Sequence, residues 1–217
     1  AYLVKVRSNL ASSSYTTGQT FRSAINCVVY KRLTRGDLIT LGTTTTTAAA
    51  LNAAGVAGNT LTVSDSSIAV ASNSAIAPTQ LVVGQTVAKL GSWIATAGEA
   101  EAVNISSFTV STCTPNTYGN TNTNAFGDGY ITSVMLKKVN ADASETEVGQ
   151  TSAAPTSAIT YNASGLSVPA SGTTVFNVYG SISSSTTNIT NGDVLCLTLA
   201  ATGAGGDSGS SLTASAQ

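Results

Sequence analysis

Ala102-Val103-Asn104-Ile105-Ser106-Ser107-Phe108-Thr109-Val110-Ser111-Thr112 is the stretch whose reading decides the fold of this chain. Val103 and Ile105 fall on one face of an extended segment, because successive side chains of a strand point to opposite sides. Phe108 and Val110 also share a face, but in the opposite parity. One extra residue at Ser106-Ser107 brings both pairs to the same side, so the stretch predicts a strand interrupted by a β-bulge.

The same period extends outward in both directions. Ile131, Val134, Leu136 and Val139 mark a strand over residues 130–139, and further strands read over 156–161, 172–182 and 193–201. In the last, Leu195, Leu197 and Leu199 alternate with Val194, Cys196 and Thr198. Toward the amino terminus, strand-like segments cover residues 61–64, 68–71, 80–83 and 86–96, the last with the sole tryptophan, Trp93. Strands recurring roughly every 10–20 residues without helices between them predict an all-β, antiparallel β-sandwich, immunoglobulin-like or jelly-roll-like. The only plausible helix lies over residues 48–57, after five consecutive threonines at 43–47.

Composition narrows the function. The 217 residues are 42% hydrophobic, enough for a core, but only 9% charged, with a net charge of −1; about 25% charged is usual. Histidine is absent, which removes Ser-His-Asp triads and histidine-ligated metals. A neutral chain without a basic block does not hold a phosphate backbone, so no nucleic-acid partner is expected. The longest apolar stretch, residues 48–58, is shorter than the ~20 residues of a spanning helix, so no direct membrane span is expected. The start at Ala1 and the Ser/Thr-rich composition suggest a mature secreted form, extracellular and at the cell surface. Of the three cysteines, Cys27, Cys113 and Cys196, at most two form an internal bridge. Their spacing leaves the pairing open, cross-linking between subunits included.

At the amino terminus, Tyr2, Val4 and Val6 alternate with Leu3, Lys5 and Arg7, and residues 8–18 read as a polar linker. An alternating strand on a flexible linker suits donation to a neighbour's sheet, with Tyr2, Leu3, Val4 and Val6 as anchors; the alternative is the first strand of the chain's own sheet. The expected organisation is a donor-type strand and linker at 1–18, an additional β segment and spacer at 19–58, a sandwich at 59–203, and a flexible or neighbour-ordered tail at 204–217.

Chemical motifs are few. Gly206-Asp207-Ser208-Gly209 has the letters of a serine-protease nucleophile, without a histidine to serve it. Glu99 with Glu101 and Glu145 with Glu147 are carboxylate pairs placed near turns, where solvation is expected rather than acid–base work. Asp128, Asp142, Glu145 and Asp193 could contribute to a calcium site, but no Asp-rich loop pattern accompanies them. No catalytic residue, cofactor or metal site is therefore expected, and the chain is not expected to be an enzyme. Sequons at Asn104, Asn162 and Asn188 are possible glycosylation points.

Four segments carry a resemblance. They are Leu61-Thr62-Val63-Ser64 with Val82-Val83-Gly84; Ala100-Glu101 continuing into the bulged stretch as far as Val110; Ile131-Thr132-Ser133-Val134-Met135-Leu136; and Val168-Pro169-Ala170-Ser171-Gly172-Thr173-Thr174-Val175-Phe176-Asn177-Val178, ending at Gly192-Asp193-Val194-Leu195. Residues from about 61 to 204 resemble an immunoglobulin-like β-sandwich repeat of bacterial surface-layer and pilus-associated proteins. The first 58 residues do not. The resemblance implies a surface-exposed, non-catalytic role. Together with the alternating amino-terminal segment, it sets the expected function: a structural subunit of an extracellular filament whose partners are copies of itself, and possibly glycans. The alternatives are a surface-layer lattice protein, an adhesin or carbohydrate-binding module with Tyr118, Phe126 and Tyr130 as an aromatic patch, and a viral coat or tail component.

Overall fold

The computed structural model describes residues 17–25, 27–31, 34–42, 56–75, 80–113, 126–153, 155, 158–185, 189 and 193–216. Among them are fourteen strands and no helix. The chain divides into two compact units, Ala1–Asp65 and Ser66–Gln217.

In the first unit, β1 (Thr20–Ile25) pairs antiparallel with β4 (Val56–Thr62), and β2 (Cys27–Lys31) with β3 (Leu38–Gly42). The boundary therefore falls after Asp65 rather than at residue 59. Of the strand expected at 61–64, Leu61 and Thr62 end β4, and they pair with Phe21 and Thr20 of β1 rather than within the sandwich. The donor-type segment with Tyr2, Leu3, Val4 and Val6 lies outside the described residues. So does most of the expected helix, whose last two positions, Val56 and Ala57, open β4.

The second unit is a two-sheet antiparallel sandwich. Its larger sheet contains β5 (Ile68–Ser72), β6 (Ala88–Ala97), β12 (Thr173–Ile182), β8 (Ile131–Val139) and, along the free side of β8, the short β9 (Glu145–Glu147) and β10 (Ser152–Ala153). The second sheet runs β11 (Ile159–Val168), β7 (Val103–Thr112), β13 (Leu197–Gly205), β14 (Ser211–Ala216). Three pairings nest inside one another: β6 with β12, β7 with β11, and β8 with β9 and β10. Such a folded double ribbon is a jelly-roll-like winding. One end of the sandwich is closed by tight turns at 98–102, 140–144, 169–172 and 206–210.

The bulge sits where the parity slip places it. Ser107 pairs with Thr202 and Ile105 with Gly203, which leaves Ser106 as the extra residue. Val103, Ile105, Phe108 and Val110 are all buried as a result. The bulge draws two backbones together: a Cβ at Gly203 would stand 2.5 Å from the Asn104 carbonyl oxygen. Across the core, Phe108 of one sheet meets Phe176 of the other at a centroid distance of 4.4 Å and a tilt of 49°, a favourable aromatic arrangement. The Tyr161 hydroxyl on β11 donates to the Val134 carbonyl on β8 at 2.9 Å, tying the sheets at that edge. Burial raises its pKa. Trp93 is buried, its ring lying where a side chain on Gly91 would otherwise stand.

The carboxyl-terminal stretch is no loose tail. Residues 197–205 and 211–216 form a hairpin, with Leu199 opposite Ala216 and Gly203 opposite Leu212. Leu212, Ala214 and Ala216 pack on the core. The composition is small and polar, but the alternation suffices because β13 supplies a complete hydrogen-bonding edge.

Candidate functional site

The residues singled out from sequence separate into those that meet and those that do not. Cys113 and Cys196 form a disulfide between the end of β7 and the approach to β13, with a Cα separation of 5.4 Å. Cys27 stands on β2 in the other unit. Asn104 and Asn162 are exposed on β7 and β11, whereas Asn188 lies outside the described residues. Asn162 Oδ1 accepts from the Ser164 backbone N–H at 3.2 Å. Phe126 is 2% exposed and belongs to the core, and Tyr130 packs partly against it. The aromatic patch expected from Tyr118, Phe126 and Tyr130 therefore fails: burying Phe126 seals the sandwich and removes its ring from any ligand. Tyr118 lies outside the described residues.

The carboxylates disperse. Among the described residues no three His, Cys, Asp or Glu side chains converge on a metal position. Asp142 accepts from the Ser144 hydroxyl and N–H in the β8–β9 turn at 2.6 and 3.0 Å, and these bonds lower its pKa. Glu101 organises the Gly206-Asp207-Ser208-Gly209 segment, which is the β13–β14 turn. Its Oε2 accepts from the N–H groups of Asp207 and Ser208 at 2.6 and 2.9 Å, and its Oε1 from the Ser208 hydroxyl at 2.5 Å. The Ser208 hydroxyl leads the donors that hold the Glu101 pKa down at about 2. Ser208 is thus a turn-forming donor to a carboxylate. Glu147 accepts from Thr151 at 2.6 Å, while Glu145 turns onto the sheet, so these two carboxylates have separate partners.

Glu145 belongs to a polar chain across the outer face of the larger sheet. Asn177 and Ser92 face outward on neighbouring strands, opposite each other, yet are only 4% and 7% exposed. The Ser92 hydroxyl donates to Asn177 Oδ1 at 2.7 Å, and Asn177 Nδ2 donates to Glu145 Oε1 at 2.6 Å. The Tyr179 hydroxyl donates to the same oxygen at 2.8 Å, and Asn73 Nδ2 reaches Ser92 Oγ at 3.2 Å. On β8, directly opposite Asn177, Lys137 places Nζ 3.8 Å from Glu145 Oε2 and 5.1 Å from the Tyr179 ring centroid. The backbone of Glu145 lies in an exposed edge strand, but its side chain is 24% exposed and that of Lys137 27%. Burial pushes the Glu145 pKa up; hydrogen bonds from Asn177 and Tyr179 and the charges of Lys137 and Lys89 outweigh it, and the net shift is down. Burial, followed by the Glu145 contact, raises Tyr179 to about 12. Burial lowers Lys89 against the pull of Glu145.

The sandwich edges are the other candidate surface. Among the described residues β5 pairs only with β6, β14 only with β13, and β11 only with β7. None of these three strands contains a charged residue. β11 is broken by a bulge between Asn162 and Leu166 containing Gly165 at φ +83. β5 and β14 are regular, belong to opposite sheets and pack side by side. Among the described residues, no helix is long and apolar enough to cross a membrane.

The chain matches no family model and no curated protein. The Ser92–Asn177–Glu145 chain is the part that sequence reading missed. One signal was present: Asn177 is polar within the otherwise apolar run Val175-Phe176-Asn177-Val178 of a central strand.

Proposed function

We propose that this chain is a structural subunit of an extracellular filament, assembled by strand addition between copies. The observation that carries this reading is the pair of regular, charge-free edges β5 and β14 lying together at one side of the sandwich. Monomeric β proteins blunt such edges with charges, proline or bulges, and β11 shows that device while β5 and β14 lack it. The alternating Tyr2-Leu3-Val4-Lys5-Val6 segment of another copy fits that need: its backbone pairs with a free edge while Tyr2, Val4 and Val6 line one face. A strand passed head to tail gives an open polymer. The Cys113–Cys196 disulfide supports an oxidising, extracellular setting, and so few charges leave little to desolvate when copies pack.

The test is negative-stain microscopy with sedimentation velocity on the oxidised full chain and on a chain lacking residues 1–12. Long particles are expected from the first and folded monomers from the second. A monomeric full chain at high concentration, or undiminished particles after truncation, overturns the reading. A two-dimensional lattice or closed shell in the same images would replace the filament with a surface-layer or coat assembly.

A further inference from the structure

We propose that Lys137 and Asn177 become joined through their side chains by an amide bond, a cross-strand isopeptide between β8 and β12 formed with the help of Glu145. The two residues are direct register partners, so their Cβ atoms stand about 4.5–5.5 Å apart. A carboxylate bridges them, 2.6 Å from the amide nitrogen that would leave and 3.8 Å from the amine that would attack. On the far side of the amide, the Ser92 hydroxyl donates at 2.7 Å to the carbonyl oxygen on which charge would develop. Amine, carboxamide, proton carrier and oxyanion donor thus meet in one place, and the carboxamide is almost fully withdrawn from water. Holding reactants this way converts a reaction negligible in solution into an intramolecular one, with the buried donor stabilising the tetrahedral oxygen.

The step balances without an oxidant or co-reactant. Glu145 accepts a proton from the Lys137 ammonium, and the freed amine attacks Asn177 Cγ. The new C–N bond forms, the bond from Cγ to Nδ2 breaks, and Glu145 returns its proton to the departing nitrogen. A second proton, lost from the attacking nitrogen as the amide forms, leaves with the ammonia as ammonium. No group is oxidised or reduced. The product would staple two central strands of the larger sheet.

The experiment is intact mass measurement of the folded full chain after disulfide reduction, followed by proteolysis and fragment sequencing. The wild type should be lighter than its sequence by one ammonia, with the Lys137 and Asn177 peptides joined as a branched species. Lys137→Arg keeps the charge without the nucleophile, and Glu145→Gln keeps the side-chain shape without the proton carrier. Both should show full sequence mass while retaining the buried-tryptophan emission of the fold. A folded wild type at full mass overturns the proposal. So does an ammonia loss that persists in Lys137→Arg, which would mark a succinimide at an asparagine, or a branch mapped to Lys89.

Discussion

Breaking the Cys113–Cys196 bond tests what holds the sandwich together. The bond closes a loop with a sequence separation of 83 residues. The chain-entropy relation for a loop of that size gives about 15 cal/mol/K, or about 4.5 kcal/mol at 25 °C, withheld from the unfolded state. The native state should lose little on reduction. Thr112 and Leu197 pair across the same two strands, and the Cys113 N–H donates to the Cys196 carbonyl at 3.1 Å, so β7 and β13 stay zipped without the sulfurs. A loss of about 4.5 kcal/mol corresponds to a Tm lower by about 9–18 °C, at about 2–4 °C per kcal/mol for a domain of this size. Trp93 is the only tryptophan and is 3% exposed, so its fluorescence reports denaturant and thermal unfolding directly. The measurement compares wild type, wild type in reductant, and Cys113→Ala/Cys196→Ala. A loss below about 1 kcal/mol in both perturbed samples would refute the loop-closure argument. A loss confined to the alanine variant would shift the cause to packing around the buried Cys113 side chain.

Other consequences can be checked alongside it. Gly203→Ala should cost about 1–3 kcal/mol in denaturant unfolding, because its Cβ meets backbone that cannot move aside. Glu101 has a folded pKa of about 2 against an ordinary 4.5; its contribution is complete above the ordinary value and is lost as pH falls through the folded one. Glu101→Gln should therefore flatten the stability profile across that window, and because the carboxylate is only partly buried and still screened by solvent, the loss at neutral pH should stay below about 1 kcal/mol. Ala71→Lys combined with Thr213→Lys places charge on both regular edges. This pair should shorten the assembled particles in micrographs while changing stability by no more than about 0.5 kcal/mol per site.

Strand character was legible because it is local. Alternation at 103–112, 131–139, 173–182 and 197–201 needs only the next two residues to be read. The bulge at Ser106 was legible for the same reason, since a parity slip appears within one strand. The carboxyl-terminal hairpin was misread because Gly- and Ser-rich composition resembles a linker, while the partner edge that orders Ser211–Ala216 lies in β13. Phe126 was misread because a loop position says nothing of whether the loop folds back over the core.

The period of the apolar residues by itself determined that this chain forms strands, that one of them bulges, and that some sheet must cover a hydrophobic face. Which strands pair was settled only in three dimensions. The jelly-roll-like nesting, the choice of Cys113 with Cys196, and the meeting of Ser92, Lys137, Glu145 and Asn177 all depend on register between distant segments. Register is a property of the assembled sheet, fixed when many side chains on one face are buried together, and no single segment encodes it.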